Sequence, residues 1–184
     1  MYPGDPMELE SALKECGALL FGEFTLSSGE RSDYYIDIKK ASTRPEVLRE
    51  MAASMAALME SEGLDCDRLA GVVLGSIPLV VALSLETDLP YLMVRGGRKA
   101  HGTGRSVEGD LEPGERVIVV EDVITSAGSA AGAVEELRGQ GASVTDLLAV
   151  VDRESGGKER LQGIGVTLHP LLTASGLLEG RDGV

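Results

Sequence analysis

Apolar and polar positions follow two rhythms along this chain. Over residues 44–60, Val47, Met51, Met55 and Leu58 recur at three- and four-residue spacing, which predicts a helix with one core-facing stripe. The methionines there read as packing rather than chemistry. Residues 7–16 predict a shorter helix, with Leu9 and Leu13 on one face and Gly17 past its end. Between these helices FTLSSGERSDYYIDIKK, residues 24–40, reads as strand, turn and strand.

Beyond residue 68 the rhythm changes. LAGVVLG (69–75), LPYLMVR (89–95), RVIVVE (116–121) and SVTDLLAVVD (143–152) are apolar runs of strand length, with GIGVTLHPLL (163–172) a fifth. PLVVALSLET (78–87) and SAGSAAGAVEELRGQG (126–141) read as helices between them. Continuous apolar strands alternating with helices predict an α/β fold, a parallel sheet with right-handed crossovers and helices on its faces. The segment 96–114 has no hydrophobic period, and the chain shows neither an internal repeat nor a linker, so residues 1–184 are expected to form one domain.

Composition narrows the function. Hydrophobic residues make up 43% of the chain, enough for a core, but aromatics are 3% and Trp is absent, so Val, Leu, Ile, Ala and Met must build it. The net charge of −13 argues against nucleic acid or an anionic membrane as partner. No apolar run approaches the roughly 18 residues that span a bilayer. The acidic start, MYPGDPMELE, does not resemble a signal peptide, and Cys16 and Cys66 lack any metal or disulfide spacing, so a cytoplasmic location with free thiols is expected.

Open parallel sheets bind ligands beyond the carboxyl ends of their strands. Here those ends carry Gly75-Ser76, Arg95, Glu121-Asp122 and Asp152-Arg153. In VVEDVITSAGSA a strand meets small hydroxyl residues that open a helix, where unpaired N–H groups and the positive helix end suit a phosphate. Neither GK[ST] nor GxGxxG is present, which excludes the common nucleotide loops. Two acids before such a loop would repel a phosphate unless a sugar lay between, donating its hydroxyls to the acids. Taken alone, the segment fits equally well a turn capped by Asp122 with Glu121 in solvent.

EDVITSAGSA resembles the phosphoribosyl-pyrophosphate motif of type I phosphoribosyltransferases. FTLSSGERSDYYIDIKK, MVRGGRKAHGTGRSVEG and VVDRESG resemble, in order, the substrate segment, the catalytic loop and the acceptor segment of orotate phosphoribosyltransferases. The resemblance implies the type I fold, a central parallel sheet flanked by helices, with an N-terminal hood over residues 1–40 and a mobile loop over 96–109. It implies transfer of a phosphoribosyl group to orotate, giving orotidine 5′-monophosphate for pyrimidine synthesis. Glu121 and Asp122 would hold the ribose hydroxyls, with Asp122 counted as catalytic. Val123, Ile124, Thr125, Ser126, Ala127, Gly128 and Ser129 would wrap the 5′-phosphate. Thr125 and Arg153 would meet orotate, and Arg95, Lys99 and His101 the pyrophosphate.

By the same resemblance, Lys99 and His101 act catalytically in the partner's site of a homodimer. Mg²⁺ would be held mainly by pyrophosphate and ribose oxygens, with no dedicated protein ligands. Tyr34 and Tyr35 stand beside the acceptor, where either stacking or packing fits them. Two departures stand out: Ser27 replaces a frequent Lys, and Gly96 a second basic residue, with Arg98 and Lys39 or Lys40 as candidate substitutes. A transferase for a purine or another base would share the donor motif but not need Arg153. A non-catalytic regulator of the same fold predicts a basic or helix-turn-helix DNA face, against which the net charge of −13 speaks, although the losses at Ser27 and Gly96 would suit it.

Overall fold

The computed structural model describes residues 6–25, 31–95 and 106–179. Helix α1 (Pro6–Glu15) leads into an antiparallel pair, β1 (Leu19–Thr25) and β2 (Arg31–Ile36), whose register shifts between Phe21 and Phe24. Leu9 and Leu13 of α1, with Leu19, Tyr34 and Ile36, are buried in the main core. This small layer is thereby fastened to the rest of the fold through apolar contact.

Lys39 and Lys40 lie not in a strand, as the apolar alternation suggests, but in the short helix α2 (Ile38–Ser42). Asp37 caps it by accepting the Lys40 N–H at 3.0 Å, and Ile38 is buried beneath it. A five-residue helix is too short to show a period. Helix α3 (Pro45–Glu62) follows, with Val47, Met51, Met55 and Met59 on its buried face, and stops at Gly63 in a left-handed conformation at φ 65°.

The remaining elements are β3 (Arg68–Val72), α4 (Ile77–Thr87), β4 (Tyr91–Val94), β5 (Val107–Glu108), β6 (Arg116–Ile124), α5 (Gly128–Gly139), β7 (Ser143–Asp152), α6 (Gly157–Gly163), β8 (Thr167–Thr173) and α7 (Ala174–Glu179). Their sheet runs β5-β4-β3-β6-β7-β8, parallel except for β5 against β4. Ile118 and Val120 of β6 join the core built by α1, α3 and α4. Val117 and Val119 join the core built by α5 and Leu161 of α6. Alternation along one strand thus feeds both layers.

Three differences from the apolar pattern matter. The edge strand β5 lies in the segment without a hydrophobic period, because a two-residue pairing needs no pattern of its own. Helices α6 and α7 are also too short to announce themselves. Strand β6 extends to Ile124, so Glu121 and Asp122 lie within the strand rather than at its exit.

Charges at the amino ends of the strands are structural. Arg68 grips Glu115 through two bonds of 2.9 and 2.7 Å, and Arg116 reaches Asp65 and Asp67. His169 of β8 lies 2.8 Å from Asp146 of β7, a cross-strand pair. Cys16 and Cys66 are free, and burial pushes the Cys66 thiol up to about 11. Among the described residues no helix is long and apolar enough to cross a membrane.

Candidate active site

The sheet order reverses between β3 and β6, because β3 leads outward to β4 while β6 leads the other way to β7. The crevice at such a reversal is the expected ligand site. The loop after β3 and the end of β6 meet there. A Cβ built on Gly75 would fall 2.2 Å from Asp122 Oδ2, so only glycine allows the loop to lie against that carboxylate. The Val73–Leu74 peptide in this loop is cis.

Both acids of β6 are buried, at 5% exposure for Glu121 and 9% for Asp122. Strand alternation sends them to opposite sides. Asp122 Oδ1 accepts the Val123 N–H at 2.9 Å, and Oδ2 lies 3.3 Å from Lys39 Nζ. The Asp122 charge raises the Lys39 pKa above its ordinary value. Glu121 lies toward α5, where the Ser129 hydroxyl meets it. Burial first, and the Asp122 charge second, push the Glu121 carboxyl up to about 8.

That shift has a measurable consequence. A carboxyl whose pKa rises on folding binds its proton more tightly in the folded chain, so stability falls as pH climbs from about 4.5 to about 8. Glu121→Gln removes the loss. Its Tm without ligand should exceed the parent's by several degrees at pH 9 and match it near pH 4.5, by calorimetry. A difference that does not vary with pH would contradict this account.

After β6 the chain turns through exposed Thr125 and Ser126 into α5, whose cap Ala127 takes the left-handed conformation at φ 54°. The cap makes no side-chain hydrogen bond, which leaves the amides of the first turn for a ligand. Ile124 and Ala127 themselves pack into the core, while Thr125, Ser126, Gly128 and Ser129 are exposed. Behind the turn, Gly157 opens α6 so closely that a Cβ there would fall 2.5 Å from both Ile124 Cγ2 and the Thr125 carbonyl. The loop holding Arg153 and the small-residue turn are thereby packed as one unit.

Arg153 follows β7, its N–H bonded to the Ile124 carbonyl at 2.8 Å. Its guanidinium stacks on the Tyr34 ring, 4.8 Å from the centroid, and Nη2 donates to Ser32 Oγ at 3.3 Å. Nε is buried and has no hydrogen-bond partner. A cavity of about 530 Å³ opens here, lined by Arg31, Ser32, Tyr34, Arg153 and Ser155 among others. Tyr35 is instead 40% exposed and its ring packs 5.6 Å from Phe24.

Arg95 follows β4, with an exposed side chain 3.9 Å from Glu108 and its N–H donating to the Ser106 carbonyl. Gly96, Arg98, Lys99 and His101, like Ser27, lie outside the described residues. The structure therefore brings together Glu121, Asp122, the turn 123–129 and Arg153. It places Lys39, one of the candidate substitute cations, against Asp122, and adds Ser32 and Gly157, which the sequence reading did not single out.

A phosphoribosyl transferase domain model matches residues 41–168. The chain is 51% identical over 172 residues to the orotate phosphoribosyltransferase of Methanosarcina mazei, covering 94% of this chain and 91% of that protein. It is 45% identical to the Pyrococcus furiosus orotate phosphoribosyltransferase, over 94% of each. The solved orotate phosphoribosyltransferase of Aeropyrum pernix matches with a TM-score of 0.82 at 33% identity, covering 95% of this chain and 99% of that one. With a parallel sheet, an acid pair at its switch point and this degree of likeness along nearly its whole length, the chain belongs to the orotate phosphoribosyltransferases, glycosyltransferases of the type I phosphoribosyltransferase fold.

Proposed function

We propose that this chain transfers the 5-phosphoribosyl group of phosphoribosyl pyrophosphate to orotate, releasing pyrophosphate and orotidine 5′-monophosphate for pyrimidine synthesis in the cytoplasm. The observation that carries the acceptor assignment is Arg153. A planar cation with one buried, unpartnered N–H beside a cavity suits a planar, carboxylated ring. A neutral purine can accept a hydrogen bond through a ring nitrogen but offers no anionic group to balance the guanidinium charge.

In this reading Asp122 and Glu121 take ribose hydroxyls, and the turn 123–129 takes the 5′-phosphate on its amides and hydroxyls. As the bond from C1 to the pyrophosphate loosens, positive charge develops on the sugar, and the buried Asp122 carboxylate stabilises it. Arg95, Lys99 and His101 meet the pyrophosphate, the last two from the partner subunit of a homodimer. Among the described residues no three His, Cys, Asp or Glu side chains gather as a metal set. The ion would be carried mainly on pyrophosphate and ribose oxygens, with Asp122 as the neighbouring carboxylate. Mg²⁺ bound in that way would neutralise leaving-group charge.

The direct test follows orotate absorbance with purified protein, phosphoribosyl pyrophosphate and Mg²⁺, beside adenine, hypoxanthine and uracil. Orotate should be consumed only when donor and metal are both present. Consumption of a purine instead would overturn the acceptor assignment.

A further inference from the structure

The donor carries a phosphate and a diphosphate, yet the switch-point crevice presents the buried acid Asp122, with the Glu121 carboxyl next to it in β6. The sequence also lacks basic residues at Ser27 and Gly96, where the resembled pattern often has them. Two adjacent lysines could offset this, and the structure separates their roles. Lys40 Nζ donates to the Gly17 carbonyl at 3.0 Å, tying α2 to the turn before β1. Lys39 Nζ instead lies against Asp122 Oδ2. Its stem passes Gly75, where a Cβ would fall 3.1 Å from Lys39 Cε.

The backbone beneath Lys39 is fixed. Ile38 is 1% exposed, Asp37 caps α2, and Ser42 Oγ donates to the Lys39 carbonyl at 2.8 Å. The side chain, by contrast, is 67% exposed. A contact so open to water adds little stability, so the ion pair has slight structural value. The contact places an exposed cation between the acid of β6 and the loop after β3.

We propose that Lys39 is a donor-binding residue, its ammonium pairing with the diphosphate of phosphoribosyl pyrophosphate beside the sugar held at Asp122. The inference rests on the proposed function and supplies the cation that Ser27 and Gly96 do not. Holding Lys39 near Asp122 in the free protein also keeps the crevice from repelling the donor as it arrives.

The test is calorimetric titration of the full-length protein, parent and variants, with pyrophosphate, ribose 5-phosphate and phosphoribosyl pyrophosphate, each with Mg²⁺, alongside turnover of orotate. Lys39→Ala should weaken pyrophosphate and donor binding by about tenfold or more, as loss of a charge-assisted hydrogen bond does. Ribose 5-phosphate binding and the KM for orotate should stay within about twofold. Lys39→Arg should recover most of the loss, and Lys40→Ala should leave pyrophosphate binding unchanged. Unaltered pyrophosphate affinity in Lys39→Ala overturns the proposal, as does a loss confined to ribose 5-phosphate, which would mean that Lys39 merely positions Asp122. Failure of the parent to consume orotate while it still binds pyrophosphate through Lys39 would overturn the acceptor assignment and support the role of Lys39.

Discussion

Asp122→Asn should lower kcat/KM for phosphoribosyl transfer by about 10²- to 10³-fold while changing Tm by little. The substitution keeps the shape and the acceptor oxygen for the Val123 N–H, now 2.9 Å away, and removes the charge. A full charge about 4 Å from a developing cation is worth roughly 4 kcal/mol at an effective dielectric near 20, which sets that scale. Because the loss concerns charge that appears as the bond breaks, kcat should fall more than the donor KM rises. Lys39 loses its ionic partner in the variant and is freed to pair with the donor, which limits the rise in the donor KM. A kcat within threefold of the parent would show that Asp122 only orders the crevice.

The layered fold was legible because its long elements obey simple periods. Val47, Met51 and Met55 mark α3, and the apolar runs within β3, β6 and β7, of strand length and rich in Val, Leu and Ile, read as strands buried on both faces. Helices α2, α6 and α7 and strand β5 were not legible. Their residues are placed by a cap, a close glycine contact or a neighbouring edge, and such tertiary causes leave no periodic trace.

The site divides along the same line. Glu121, Asp122 and the turn to Ser129 stand contiguous in the sequence, so their chemistry could be read from one segment. The extent of β6 could not, since a charged pair ordinarily ends a strand and here both acids remain inside one, with Glu121 and Asp122 on opposite sides. Tyr34 and Tyr35 show the limit of local reading: strand alternation buries the first under Arg153 and exposes the second. Lys39 and Lys40 look identical in sequence, and only the direction of α2 sends one to Asp122 and the other to Gly17.

Arg153→Ala should raise the KM for orotate by about 100-fold and leave the donor KM within about twofold. The guanidinium is held from two sides, by the Tyr34 face and by Ser32 Oγ, so its position is set before any ligand arrives. Preorganisation of this kind lets a bidentate pair with a carboxylate yield most of its gross strength, because little side-chain entropy remains to be lost. Truncating one partner of such a charge pair typically costs 2–5 kcal/mol, and the lower half of that range corresponds to roughly 100-fold. Arg153→Lys should recover only part of the loss: an ammonium keeps the charge but neither the fork nor the stacking on Tyr34. Uracil, which lacks the carboxylate, supplies the internal control. If Arg153 reads that group, the variant's preference for orotate over uracil should collapse together with its orotate affinity. Equal rises in the donor and orotate KM would instead mean that the substitution disturbs the packed turn at Gly157, and that the acceptor's carboxylate is held elsewhere.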